Sequence, residues 1–187
     1  MSATIGLADK IERIHRALTR ARLPHAFGGA LALAYYATPR ATIDIDLNVF
    51  IPPDKYLDVL KILRRLGVDR FPDSEVVSRD GQARTWWGSN PVDLFFSYDP
   101  IHDAMKEASR VVPFGATTIP IIAPEHLMVA KVVFNRSKDW VDIEQMLVAV
   151  PDLDLAEVQR WLTHLIGDGD ARFERFIALR DELRLSE

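Results

Sequence analysis

At 187 residues and 21.2 kDa the chain is long enough to bury a core of its own, as one domain or as one domain with a small helical appendage. It has no cysteine, which excludes disulfides, thiolate nucleophiles and sulfur-ligated zinc. A net charge of -4 and a pI near 5.7 exclude a nucleic-acid binder that relies on global positive charge, while leaving room for a local basic patch.

No apolar run approaches the length of a membrane span, and the N-terminus lacks the basic and apolar regions of a secretory leader, so a cytoplasmic protein without membrane partners is expected. Leu7, Ile11, Ile14, Leu18 and Ala21 recur at helical spacing and predict an amphipathic helix over 6–22. Its Lys10, Arg13, Arg16, Arg20 and Arg22 read as a solvated face, and Pro24 ends it. Ala26 and Phe27 then form a short buried strand running into Gly28-Gly29, and ALALAYYA reads as a helix from about Ala30. Such a turn either cradles phosphate on its backbone amides or simply redirects the chain.

Ile43, Ile45, Leu47 and Val49 alternate with Thr42, Asp44, Asp46 and Asn48, the period of two that defines a strand. Asp44 and Asp46 therefore point the same way. Two carboxylates about 5 Å apart repel by about 3 kcal/mol at an effective dielectric of about 20, so a walled-in pair needs a cation or a basic partner. Further on, Asp54 caps a helix carrying Leu57, Leu60, Leu63 and Leu66, closed by Gly67. The segment FPDSEVVSRDGQ is polar and turn-rich, with Asp80-Gly81 as a hairpin turn.

Residues 83–98 read as two strands joined around Gly88 to Pro91, with Val92, Leu94 and Phe96 alternating with Asp93, Phe95 and Ser97. A lone charge among large apolar residues is costly to bury. Asp93 is thus the natural third carboxylate, delivered by a neighbouring strand, the alternative being an exposed edge position. Trp86 and Trp87 either stack on a base or pack in the core, and core packing is expected for at least one of them. Asp99-Pro100 starts a helix to about Arg110, and VVPFGATTIPII gives short strands around Gly115, with Pro120 marking an edge.

From Pro124 the pattern is helical, which sets the expected boundary: an α/β core over 1–123 and a helical region over 124–187. Leu127, Ala130 and Phe134 form a stripe, Ser137 is placed to cap a helix, and Asp154 and Gly167 bound another. The five histidines show no metal-ligand spacing, and GxSxG, Walker A and GxGxxG patterns are absent.

Taken together, Gly28-Gly29, Asp44-Ile45-Asp46 and Asp93 resemble the signature of the DNA polymerase β-like nucleotidyltransferase superfamily. GGALALAYYATPRATIDIDL with KVVFNRSKDWVDIEQML further resembles AbiEii-type toxins and related small bacterial nucleotidyltransferases. The resemblance covers residues 24–50, 91–96 and 124–147, and departs from the family at Ala30, where a phosphate-touching hydroxyl is common. It implies an α+β fold, a mixed sheet flanked by helices and followed by a helical region. It also implies a metal-dependent transfer of NMP from an NTP such as ATP to a hydroxyl acceptor, an RNA 3′ end (tRNA-like) or a protein side chain, in a toxin-antitoxin setting with an antitoxin partner. Asp44, Asp46 and Asp93 would hold Mg²⁺ or Mn²⁺, with Asp93 also taking the acceptor's proton. Gly28, Gly29, Arg40, Thr42, Lys131, Arg136 and Lys138 would bind the nucleotide. The rival expectations are a catalytically silent module of the same fold and a regulatory partner acting through an apolar stripe on 155–185.

Overall fold

A computed structural model describes residues 5–184. These residues form two compact units, one from 5–31 with 41–122 and the other from 32–40 with 123–184. In the first, six strands among the described residues build one mixed sheet: β1 (His25–Phe27), β2 (Ile45–Val49), β3 (Gln82–Trp87), β4 (Asn90–Phe96), β5 (Arg110–Phe114) and β6 (Thr117–Ile121). Their order across the sheet is β3-β4-β2-β1-β6-β5, with β2 and β4 parallel and β1 antiparallel to β2. The expected α+β architecture with a C-terminal helical region is therefore the one observed.

The alternation in β2 and β4 sorts the side chains as expected. Ile45, Leu47, Val49, Val92, Leu94 and Phe96 are all buried. Helices α1 (Leu7–Arg20) and α3 (Tyr56–Leu66) lie on this apolar side. The Tyr56 ring of α3 meets Phe96 edge-on at 5.8 Å, and Lys10 of α1 donates to the Trp87 carbonyl at 2.7 Å. Lys10 is accordingly buried and also donates to Asn90 Oδ1 at 2.6 Å, so it is a structural tie between helix and hairpin and not part of a solvated face. Its ammonium is satisfied by two oxygens, which makes that burial tolerable.

Several local expectations give way to tertiary structure. The helix α2 (Gly29–Leu33) ends at Leu33, and β2 begins only at Ile45, leaving Ile43 61% exposed. Asp80-Gly81 is no hairpin turn: Ser74–Asp80 form the helix α4, held by the buried Val77 and closed by Gly81 at φ +66°. Asp54 lies in a 3-10 turn, Pro53–Lys55, and caps nothing, whereas Gly67 closes α3 at φ +100° as expected. The β3–β4 loop is only Gly88-Ser89, so Pro91 belongs to β4 and pairs with Trp86. Pro120 is not at the sheet edge, since β6 lies between β1 and β5. Asp99 does cap α5 (Pro100–Ala108), accepting from the Ile101 amide at 2.9 Å.

The second unit is built on α6 (Pro124–Phe134), α7 (Ser137–Ala149), α8 (Leu155–Ile166) and α9 (Ala171–Arg184). Leu127, Met128, Val132, Trp140, Ile143, Met146, Val158, Leu162 and Phe176 make its core. Phe134, expected on the buried stripe of α6, is 45% exposed, because α6 is buried on nearly every other side. Ser137 is the first residue of α7 and not its cap; the Asp139 carboxylate closes that end by accepting from the Arg136 amide at 3.1 Å. Asp154 caps α8 through the Glu157 amide at 3.0 Å. No described helix is long and apolar enough to cross a membrane.

Candidate active site

Opposite the apolar row, the register lines up a polar one. Asp46 on β2 pairs with Asp93 on β4, and Asp93 pairs with Arg84 on β3, so three charged side chains stand side by side on one face of three neighbouring strands. Strands lie about 4.8 Å apart, which brings the two carboxylates within reach of a shared cation. Asp44 sits one residue before β2, its amide donating to Thr42 Oγ1 at 3.1 Å. Thr42 thus shapes the approach to the strand through this local turn and is not itself a strand residue.

The turn after β1 is fitted to Asp46. Gly28 donates its amide to the Asp46 carbonyl at 2.9 Å, extending the sheet by one bond. That amide is spent and cannot also serve phosphate, so any cradle falls to the amides that follow. Gly29 has φ +55°, and a Cβ there would stand 1.7 Å from Asp46 Oδ2. No side chain fits at that separation, so glycine is required both by the backbone and by the carboxylate lying against it. A Cβ on Gly28 would meet Asn48 Nδ2 at 3.1 Å, a much milder approach.

Arg84 is the site residue that sequence reasoning missed. Its Nε donates to Asp93 Oδ1 and a terminal nitrogen to Oδ2, both at 2.7 Å. This side-on fork is the strong geometry for a guanidinium on a carboxylate. The hydrogen bonds that Arg84 donates to Asp93 raise its pKa, and the nearby charges of Asp44 and Asp46 push it the same way. The only available signal was the Gly88-Ser89 turn, which fixes the hairpin register and sets residue 84 opposite 93. With both Asp93 oxygens turned to Arg84, no three acidic or histidine side chains among the described residues form a ready-made metal cage. The donor set itself still fits a hard divalent cation: the Asp46 and Asp93 carboxylates share one face, and Asp44 precedes Asp46 by two residues.

The second unit gathers the expected basic residues into a separate network. Lys131 is buried and donates to Asp142 Oδ2 at 2.6 Å, with Asp139 at 4.0 Å. Burial pushes the Lys131 ammonium pKa down, and the hydrogen bond to Asp142 pulls it back up. Arg40, expected to bind the nucleotide, lies before β2 and grips Asp142 from Nε at 3.1 Å. Arg136 pairs with Asp139 at 2.7 Å. Lys138 is exposed and joins none of these pairs. Lys131, Arg40 and Arg136 thus gather around two buried carboxylates, Asp139 and Asp142.

No protein-family model and no curated protein matches the chain. Solved structures do. The antibiotic-resistance factor ANT(2″)-Ia in solution aligns at TM-score 0.61 and 18% identity over 96% of this chain and 95% of that one. A crystal structure of ANT(2″)-Ia with adenylyl-2″-tobramycin gives 0.54 and 18% over 96% and 97%. An antigenic nucleotidyltransferase-like protein from Paracoccidioides brasiliensis gives 0.55 and 13% over 95% and 88%. The chain has the nucleotidyltransferase fold.

Proposed function

We propose that this chain is an NTP- and metal-dependent nucleotidyltransferase that moves NMP onto a hydroxyl acceptor. The observation that carries this reading is the in-register Asp46–Asp93 pair on parallel neighbouring strands, with the Gly28-Gly29 turn closed against Asp46. Asp44 and Asp46 would hold Mg²⁺ or Mn²⁺, with Asp93 completing a second site. Bound there, the metal supplies the positive charge that offsets the charge building on the α-phosphate and the leaving pyrophosphate.

The remaining chemistry falls to the chain. The acceptor oxygen attacks the α-phosphorus; the new O–P bond forms as the bond from the α-phosphorus to the bridging oxygen breaks, and pyrophosphate departs with that electron pair. The acceptor proton passes to Asp93, whose carboxylate keeps lone pairs beyond the two directed at Arg84. The gathering of Lys131, Arg40 and Arg136 around Asp139 and Asp142 is the basis for assigning that network a phosphate-binding role, whereas Lys138 is exposed and read as solvated.

The acceptor is an RNA 3′ end or a protein side chain, with an AbiEii-like toxin role and an antitoxin partner as the setting. The adenylated tobramycin bound to ANT(2″)-Ia adds an antibiotic hydroxyl to be tested. The test is incubation with each α-³²P-labelled NTP and total RNA, total protein or tobramycin, with Mg²⁺ or with EDTA. Label entering one acceptor class only with metal supports the proposal. A folded protein that binds Mg²⁺-ATP yet labels nothing overturns it in favour of the silent module, the reading that Arg84's grip on Asp93 favours. The regulatory-partner reading needs an apolar stripe on 155–185; among the described residues Leu155, Leu165, Ile166, Ile177 and Leu179 are half-buried there, and a stable complex with a second protein would be its test.

A further inference from the structure

The second unit keeps one face that its own core does not use. On α7, Asp139, Asp142, Ile143 and Met146 are buried, and the opposite side of the helix carries Ser137, Val141, Glu144 and Val148. Steps of four, three and four residues set these in one stripe along the helix. Val141 is 53% exposed and Val148 68%. A single exposed valine is ordinary, but two on one stripe beside a groove form a patch.

The groove lies between α7 and α9. Arg172, near the start of α9, donates to the Val133 carbonyl at 2.9 Å, just before α7 begins, so the two helices start together and run the same way. They leave a groove of about 350 Å³ whose middle is apolar, lined by Trp140, Val141 and Leu179. One end is positive: Arg175 lies 4.0 Å over the Trp140 ring, and Lys138 is exposed in the first turn of α7. The other end is negative, with Glu144 and Glu182. Lys138, Glu144 and Arg175 form no ion pair among the described residues, so their charges are available to a partner.

We propose that this α7–α9 face is a dimer interface and that its occupant is a second copy of this chain, set antiparallel about a two-fold axis near Val141. A two-fold interface uses the same patch on both copies and must therefore match itself. A face of one charge sign would repel its own copy, whereas opposite signs at two ends become complementary after half a turn. Lys138 lies three residues before Val141 and Glu144 three after it, so the rotation that brings Val141 onto its equivalent sets Lys138 against the partner's Glu144. Each helix is about 20 Å long at about 1.5 Å per residue, which makes the paired faces small and the expected dissociation constant about 1–100 µM. The interface uses neither the carboxylates nor the glycine turn and stands independently of the transferase reading.

The test is sedimentation velocity of the full chain from about 2 to about 400 µM, a range that brackets that constant. Wild type is compared with Val141→Asp, Glu144→Lys and the double variant Lys138→Glu/Glu144→Lys, and urea unfolding controls for folding. All three positions are exposed, so unfolding midpoints are expected to stay close to wild type. Wild type is expected to pass from monomer to dimer with concentration, and Val141→Asp to remain monomeric. Glu144→Lys is expected to weaken association by about 10-fold, and the double variant to recover most of that loss, because exchanging both signs restores the match. Wild type that stays monomeric over the whole range overturns the proposal and leaves the face to a different protein. A dimer untouched by Val141→Asp, or a double variant that associates no more tightly than Glu144→Lys, overturns it as well.

Discussion

Replacing Gly29 by alanine tests the site's construction at its tightest point. The added Cβ would stand 1.7 Å from Asp46 Oδ2 and 2.4 Å from its Cγ, and the backbone at φ +55° disfavours any side chain. The conformational penalty alone is about 1–2 kcal/mol. Because the Asp46 carboxylate must also move by an ångström or more, catalysis should fall by about 100-fold beyond the stability effect. Gly28→Ala is the matched control, since its nearest neighbour would be Asn48 Nδ2 at 3.1 Å and Ile122 Cδ1 at 3.4 Å. The assay compares urea unfolding and initial rates of nucleotidyl transfer for both variants. Gly29→Ala at wild-type rate, or no worse than Gly28→Ala, would refute the reasoning that the turn is fitted to Asp46.

Other outcomes follow from single contacts. Arg84→Ala frees both Asp93 oxygens, so the Mg²⁺ concentration for half-maximal transfer should fall; an unchanged or higher requirement in a metal titration would show that Arg84 and metal do not compete. Asp142→Asn leaves Lys131 and Arg40 without their shared carboxylate and should cost about 3–5 kcal/mol, whereas Lys131→Met keeps the Arg40–Asp142 pair and should cost less, as denaturant midpoints will tell. His126 is fully buried, and neither ring nitrogen has a hydrogen-bond partner; Glu157 at 3.5 Å, Glu125, Arg160 and Trp161 surround it. Burial lowers its folded pKa below the ordinary 6.5, so the folded state binds fewer protons than the unfolded one. Stability is then intact above pH 6.5 and lost as pH falls below it, and His126→Leu should flatten that decline in urea titrations between pH 7.5 and 5.

What the sequence made legible was what alternation and turn chemistry encode locally. The row Ile45, Leu47, Val49 and its partner Val92, Leu94, Phe96 are visible as period-two patterns, and they place Asp46 and Asp93 on the opposite face. Ile43 extends that pattern on paper yet lies outside the strand, because pairing with β4 ends at Ile45 opposite Val92. The helix α4 escaped notice because SEVVSRD buries a single residue, Val77, too few for a periodicity to register. Arg84, Lys10 and the Arg40–Asp142–Lys131 network escaped for a different reason. Each is a charge whose role depends on a partner 9, 77 to 80, or 11 to 102 residues away, and no local pattern carries that pairing.

The central claim is that Asp46, set in register with Asp93, is part of a nucleotidyl-transfer centre. It is tested most directly by transfer of label from α-³²P-ATP and the other three NTPs, in Mg²⁺, by wild type and by Asp46→Asn, with urea unfolding of both proteins measured alongside. The account predicts metal-dependent label from wild type, none from Asp46→Asn, and closely similar unfolding midpoints. Full transfer by Asp46→Asn would contradict it.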